Sequence, residues 1–222
     1  MHYDAIENKH GFRHDPFKAL VTPRPIGWIA SVSLDGICNL APYSYFNAVS
    51  DQPHYVMFSS KNIKDSVRNI QATGEFTCSL STWDTRDSMN ASSAPVPPGI
   101  DEFPIADLTT APSRFVKPPR VKESPAALEC RYWKTIELPD VAPGSDRGHF
   151  VVIGQVVGIY IDEAYILDGL VDTGGMRPLA RLGYMDYAVV TPDTVLTINR
   201  PEMNEAGEIL EAQPVAWDGA FR

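Results

Sequence analysis

Ile26-Gly27-Trp28-Ile29-Ala30-Ser31-Val32-Ser33-Leu34-Asp35-Gly36, closely followed by Ala41-Pro42-Tyr43-Ser44-Tyr45-Phe46-Asn47-Ala48-Val49-Ser50, is the part of this chain whose reading decides the fold. Ile26, Trp28, Ala30, Val32 and Leu34 fall on one face of an extended segment, with Gly27, Ile29, Ser31 and Ser33 on the other. Strict alternation predicts a strand, and the first set predicts a barrel-like inner face. Asp35 and Gly36 both tolerate positive φ, so the pair predicts a hairpin turn. The return strand runs into Ala41–Ser50, which crowds three aromatics, two serines and an asparagine into ten positions. That mixture is too polar for a core strand and too aromatic for a solvent loop. It suits either a half-buried strand with outward tyrosines or a small-molecule pocket, where rings give flat contact and a few polar groups orient a ligand.

Outward from there the pattern stays β. Thr22-Pro23-Arg24-Pro25 is held extended by its prolines, after a leader segment over residues 1–22. His54–Ser60 predicts the next strand, then a short helix with Asn62 as cap, a stripe of Ile63, Val67 and Ile70, and Gly74 at its end. Phe76, Cys78 and Leu80 alternate as another strand. Residues 81–125 are a long excursion. A helix is expected near 82–90, after which Pro95, Pro97, Pro98, Pro104, Pro112, Pro118, Pro119 and Pro125 argue against regular structure. Such excursions act as lids or partner contacts. Residues 126–138, 150–160 and 184–190 supply further strands, and Gly154 and Gly158 predict bulges or barrel corners. The expected fold is therefore mainly β, a barrel with a few short helices and one long Pro-rich insertion. We read residues 1–222 as a single domain, with its core over roughly 18–190 and 191–222 as a C-terminal extension. The late aromatics Trp217 and Phe221 suggest that the extension packs on something, such as a second subunit.

Composition narrows the function. The chain has 222 residues, 44% of them hydrophobic, an ordinary globular balance. A net charge of -9 speaks against nucleic-acid binding, which needs a basic face. No apolar run reaches membrane-span length, and the first residues do not resemble a signal peptide. Three distant cysteines give neither a disulfide framework nor a metal site, so we expect a reduced, cytoplasmic setting and no metal. His10 and His14 lack a third ligand. Asp172-Thr173-Gly174 spells an aspartic-protease triplet, but three residues match too readily by chance.

What remains is a polar cluster where a strand ends and the short helix begins. Ser59 and Ser60 close the strand, and Lys64, Asp65 and Ser66 lie in the first helical turn. A helix N-terminus offers unpaired N–H groups and positive potential, which suits a phosphate. The bland alternative is a capped helix with an exposed Lys64. Taken together, a ring-lined stretch and a phosphate-type corner one strand apart would hold a molecule with a flat ring system at one end and a phosphate at the other. Flavin mononucleotide (FMN) has that shape.

Thr22-Pro23-Arg24-Pro25-Ile26, then Asn39 to Ser50, Lys64-Asp65-Ser66 with Asn69-Ile70, and Thr73-Gly74-Glu75-Phe76 resemble the flavin reductase-like family, which includes the flavoredoxins. Met89-Asn90, Asp101-Glu102-Phe103, Pro118-Pro119-Arg120-Val121 and Glu123-Ser124-Pro125 extend the match. The resemblance implies a Greek-key split β-barrel, a homodimer, and FMN bound near the subunit interface. It implies that Arg24, Pro25 and Ile26 run beside the isoalloxazine, with Arg24 favouring the anionic reduced flavin. Ser44, Tyr45, Phe46 and Asn47 would contact the ring and ribityl chain. Ser59, Ser60, Lys64, Asp65 and Ser66 would handle the ribityl and phosphate end, and Met89, Asn90 and Arg181 could approach the flavin. The implied activity is NADH- or NADPH-dependent reduction of flavin or FMN. Electrons would pass to a flavin or other small-molecule acceptor, with no catalytic side chain because the flavin N5 carries the chemistry. Two alternatives share the cofactor: a flavoredoxin-like FMN electron carrier, and an FMN-dependent enzyme acting on another small organic substrate.

Overall fold

Two residues, Ser44 and Tyr45, separate the two edge strands of a seven-stranded antiparallel sheet. The computed structural model describes residues 1–139 and 148–210. In chain order the elements are α1 (Phe17–Leu20), β1 (Arg24–Pro25), β2 (Gly27–Val32), β3 (Cys38–Tyr43), β4 (Phe46–Ser50), β5 (Tyr55–Lys61), α2 (Asp65–Thr73) and β6 (Glu75–Leu80). Next come α3 (Arg86–Ala91), α4 (Glu102–Ile105), β7 (Thr110–Ala111), β8 (Arg120–Val121), β9 (Ala126–Leu138) and β10 (His149–Ile161). The chain then forms β11 (Ile166–Leu167), β12 (Leu170–Val171), α5 (Thr173–Met176), β13 (Leu179–Arg181) and β14 (Tyr187–Val189). The large sheet runs β3-β2-β6-β9-β10-β5-β4. Laid flat at about 4.8 Å per strand, its outer strands would stand roughly 29 Å apart. The link from Tyr43 to Phe46 spans about 10 Å at most. The sheet must therefore roll until its edges meet, and because β3 and β4 do not pair with each other the barrel stays split along that seam. The mainly-β expectation holds. Its fold is a split barrel.

Side chains from six of the seven strands meet inside the barrel. Ile29, Tyr43, Val56, Phe58, Phe76, Cys78, Cys130 and Val152 form one core, closed by Val67 and Ile70 of α2. A second core lies on the outer face of β2. There Trp28, Ala30 and Leu40 pack with Met89, Phe103 and Val121 from the excursion. This corrects the alternation reading. The residues of β2 share faces as expected, but Ile29 points inward while the Trp28 face lies under the insertion, and Leu34 is 79% exposed. A strand buried on both faces carries no contrast that reveals which side is inside.

The insertion is docked by polar groups that would read as solvent-facing. The Trp28 indole N–H donates to Ser92 Oγ at 2.9 Å, Thr77 Oγ1 to the Pro119 carbonyl at 2.7 Å, and the Val121 N–H to Ser79 Oγ at 3.1 Å. Its prolines do not forbid all helix, because Pro104 sits within α4, capped by Asp101, which accepts the Phe103 N–H at 2.9 Å. The hairpin turn at Asp35-Gly36 is present, with Gly36 at φ 85°. The β9–β10 register shifts beside Gly154 and at Val156/Gly158, as the glycines predict. At Gly154 a Cβ would come within 2.4 Å of the Phe76 ring, so the core itself demands glycine there.

In the second, three-stranded sheet, in the order β1-β13-β14, the sequence pointed to β14 and to the extended Arg24–Pro25, but not to β13, whose three residues are too few to show a period. Asp172 caps α5 by accepting the Gly175 N–H at 2.8 Å, which accounts for the Asp-Thr-Gly triplet. His10 Nδ1 accepts the Phe12 N–H in the exposed leader. Trp217 and Phe221 lie outside the described residues. No helix among the described residues is long and apolar enough to cross a membrane.

Candidate functional site

A cleft of about 530 Å³ opens where the barrel edges meet. Its walls come from the end of β3, the Ser44–Tyr45 corner, the end of β5, the start of α2 and the 92–98 part of the insertion. This volume lies within the range of small-molecule and cofactor sites, roughly 300–1,000 Å³.

The α2 N-terminus forms one end. Asn62 does not cap it. That residue sits at φ 66° and the N-cap position belongs to Lys64, with no side chain bonding the first turn. Ile63 lies outside the helix and is exposed, so the apolar stripe begins at Val67. The first backbone N–H groups of α2 therefore lack side-chain partners, and together they carry positive potential. Lys61 and Lys64 both line the cleft, and their side chains have no ion pair or hydrogen bond among the described residues. The carboxylate in the first turn of α2 is engaged by the chain itself: Asp65 pairs with Arg68 and accepts the Gly99 N–H at 2.9 Å. Asp65 thus ties the insertion to α2.

Below this end lies a buried relay. Ser66 Oγ donates to Asn39 Oδ1 at 2.7 Å. Asn39 Nδ2 donates to Glu102 Oε1 at 2.9 Å and Oε2 at 3.0 Å, and the Leu40 N–H donates to Glu102 Oε2 at 2.8 Å. Burial pushes the Glu102 carboxyl up from its ordinary value, against the pull of those N–H donors. Tyr43 also lines the cleft. Its hydroxyl is buried beside Ser66 and Ser60 but closes no hydrogen bond among the described residues, and burial raises its pKa against the pull of those two hydroxyls. A buried hydroxyl without a partner costs about 1–3 kcal/mol, a cost that a polar ligand would remove.

Among the sequence-predicted residues, Ser44, Tyr45, Ser59, Lys64, Asp65 and Ser66 are brought together on this wall. The others are not. Arg24 is buried and gives its Nη donors to the carbonyls of Lys18, Val21 and Leu182, which pins the leader to the turn after β13, and its Nε has no partner. Its guanidinium lies 5.8 Å from the Tyr45 ring centre. Pro25 is exposed in β1, and Ile26 joins the second core. The Phe46 ring lies so close to Gly27 that a Cβ there would fall 2.4 Å from it. Asn47 is exposed and accepts its neighbour's N–H, while Ser60 is buried and donates to the Asn62 carbonyl at 3.0 Å. Met89 belongs to the second core, Asn90 is exposed, and Arg181 is held by Tyr187 and the Tyr184 carbonyl. Asn39, Lys61 and Glu102 also line the cleft and were missed as site residues. Asn39 and Glu102 did stand inside the motifs that carried the resemblance, 63 residues apart, and only the fold shows that they touch.

The profile of the flavin reductase like domain matches residues 20–180. The chain belongs to that family. Its relatives include an uncharacterized protein of Aquifex aeolicus, 36% identical over 174 residues, which are 76% of this chain and 85% of the relative. Nitrilotriacetate monooxygenase component B from Bacillus cereus is 30% identical with a TM-score of 0.75, the match covering 84% of this chain and 95% of that one. The 2-nitrobenzoate 2-nitroreductase of Pseudomonas fluorescens is 25% identical with a TM-score of 0.77, covering 90% and 96%. For a flavin reductase-like chain the question at the cleft is whether a flavin fits. Two unpaired lysines, an uncapped helix end, an orphaned buried hydroxyl and the Tyr45 ring suit a ligand with an anionic end, a hydroxylated middle and a flat ring.

Proposed function

We propose that this protein binds FMN in the cleft and works as an NAD(P)H-dependent flavin reductase, as a homodimer. The observation that carries the reading is the pairing of the two cleft ends. An uncapped α2 N-terminus with unpaired Lys61 and Lys64 stands at one, and the Ser44–Tyr45 corner at the other. FMN rather than FAD suits this cleft, because its positive end is bounded by the insertion wall at Ser92–Val96.

Bound FMN would supply the redox chemistry, taking hydride from a nicotinamide and passing electrons to a flavin or small-molecule acceptor. The chain's own residues bind and orient. The α2 N–H groups and the two lysines would hold the phosphate. Tyr43 would give its free hydroxyl to the ribityl chain, and Ser44 would orient the ring end. The insertion, held by the Asp65–Gly99 bond, would keep water from the phosphate side. Support for a dimer comes from apolar side chains left on the outer sheet surface. Trp133 is 60% exposed beside Tyr55, with Val49 and Ile136 also open to solvent.

The test starts with the isolated protein, which should be yellow and release FMN on denaturation. Rapid mixing of the loaded protein with NADH and with NADPH should bleach the flavin absorbance with at least one of them. A loaded protein that neither nicotinamide bleaches at millimolar concentration is not a reductase.

A further inference from the structure

Glu102 is a buried carboxylate that makes no ion pair among the described residues. It lines the cleft floor, yet its oxygens are filled by N–H groups of Asn39 and Leu40. A carboxylate only accepts, so it dictates which way round the Asn39 amide stands. With Nδ2 committed to Glu102, Asn39 presents Oδ1 to Ser66, and the Ser66 hydroxyl must spend its single proton on it at 2.7 Å. The same Oδ1 receives Ser31 Oγ on its second lone pair at 3.4 Å, and Ser31 is held in turn by Asn69 Nδ2 at 3.3 Å, so both donors fix the Asn39 amide the same way round.

We propose that Glu102 is a positioning residue that sets the hydrogen-bond polarity of the phosphate end. Through Asn39 it turns the Ser66 proton inward, so that Ser66 shows the cleft only lone pairs. The inference rests on the FMN reading for the identity of the ligand, and it deepens that reading. The donors left for a phosphate are the α2 N–H groups and the lysines, one fewer than the residue types promise. A ligand held by fewer donors leaves faster, which favours a flavin that exchanges over one that stays.

Glu102→Gln tests this without changing size. In the variant the amide oxygen must take the Oε2 place to receive the Leu40 N–H. Its NH2 then faces Asn39 Nδ2 across 2.9 Å, donor against donor. Because Asn39 Nδ2 also lies 3.0 Å from the Oε2 place, Asn39 meets one like and one unlike group in either orientation; it is no longer held one way round, and in the turned-over form Ser66 is released to donate into the cleft. FMN affinity is expected to rise by at most about tenfold, the order of one hydrogen bond to a charged group, with riboflavin affinity changed by less than about twofold. In a Ser66→Ala background the gain should vanish. A gain of equal size in that background would show that Glu102 acts through its charge alone and overturns the proposal, as would a loss of FMN affinity in folded Glu102→Gln.

Ser66→Ala in the otherwise native chain gives a second arm that does not depend on the Gln variant folding. Because Ser66 is not a donor to the ligand, the ratio of FMN to riboflavin affinity should stay within about twofold, against the roughly tenfold loss that deleting a donor to a charged group would bring. That larger loss would also refute the proposal. The Asn39 side-chain amide resonance in flavin-free protein supplies a readout without any ligand. It should move upfield in Glu102→Gln as it exchanges a carboxylate for a hydroxyl, and an unmoved resonance would sink the mechanism. Wild-type protein that binds neither flavin would defeat the FMN reading, while the amide resonance would still decide the polarity.

Discussion

The Ser59 N–H donates to the Tyr45 carbonyl at 2.8 Å, and this bond joins the corner between the barrel's two edges to the strand that leads to Lys61 and Lys64. The Ser44–Tyr45 corner and the start of α2, the two ends of the cleft, are thereby tied together, although they belong to different elements.

That arrangement predicts a division of labour. Ser44→Ala and Lys64→Ala should both weaken FMN binding. Only Lys64→Ala should leave riboflavin affinity nearly unchanged, because riboflavin has no phosphate. Loss of one charged contact of this kind is expected to cost about 1.5–3 kcal/mol in FMN binding. Fluorescence titration with the two flavins measures it, and equal behaviour of the two variants toward riboflavin would refute the assignment.

Ser92→Ala should act on both core and cleft. It leaves the fully buried Trp28 indole N–H without its acceptor, at about 1–3 kcal/mol of stability. Ser92 also stands at the start of the cleft's insertion wall, so the same variant should release FMN faster. Urea unfolding and a flavin-exchange rate read the two effects separately.

Gly154→Ala should destabilise the barrel even though alanine is small. The new Cβ would sit 2.4 Å from the Phe76 ring, within the fully buried core. Overpacking of this sort costs about 1–3 kcal/mol. A thermal unfolding midpoint equal to wild type would show that β10 can move away from Phe76.

Glu102 should make stability fall as pH rises. Burial raises its carboxyl above the ordinary value of 4.5, so the folded state holds the proton more tightly than the unfolded state. The contribution is fully present below the unfolded-state value and is lost as pH climbs through the folded one. Relative to Glu102→Gln, wild-type unfolding free energy should therefore decline over the window opening upward from about 4.5, then level off. Denaturation at stepped pH tests the sign, and a rise over that window would contradict it.

Much of this was legible from local pattern. The alternation at Ile26–Leu34, the Asp35-Gly36 turn, the bulges at the β10 glycines and the C-terminal Gly74 of α2 all follow from constraints acting within a few residues. So did part of the cleft wall, because Ser44, Tyr45 and the start of α2 mark themselves by residue types unusual for where they stand.

Other features depended on which surfaces meet. That Ile29 rather than Trp28 faces the barrel interior was decided by the insertion, which buries the other side. Asn62 looked like a cap, but capping depends on backbone angles that its position at φ 66° does not supply. The resemblance implied Arg24 beside the isoalloxazine, and three carbonyls, two from the segment just before it and one from the distant turn after β13, claim its Nη donors. The sequence by itself determined a mainly-β chain with a ring-rich, phosphate-ready strand–helix corner, because periodicity and turn chemistry are local. Only the tertiary structure decided the polarity of that corner. Glu102, Asn39 and Ser66 lie far apart along the chain, and a hydrogen bond exists only where folding brings donor and acceptor within reach.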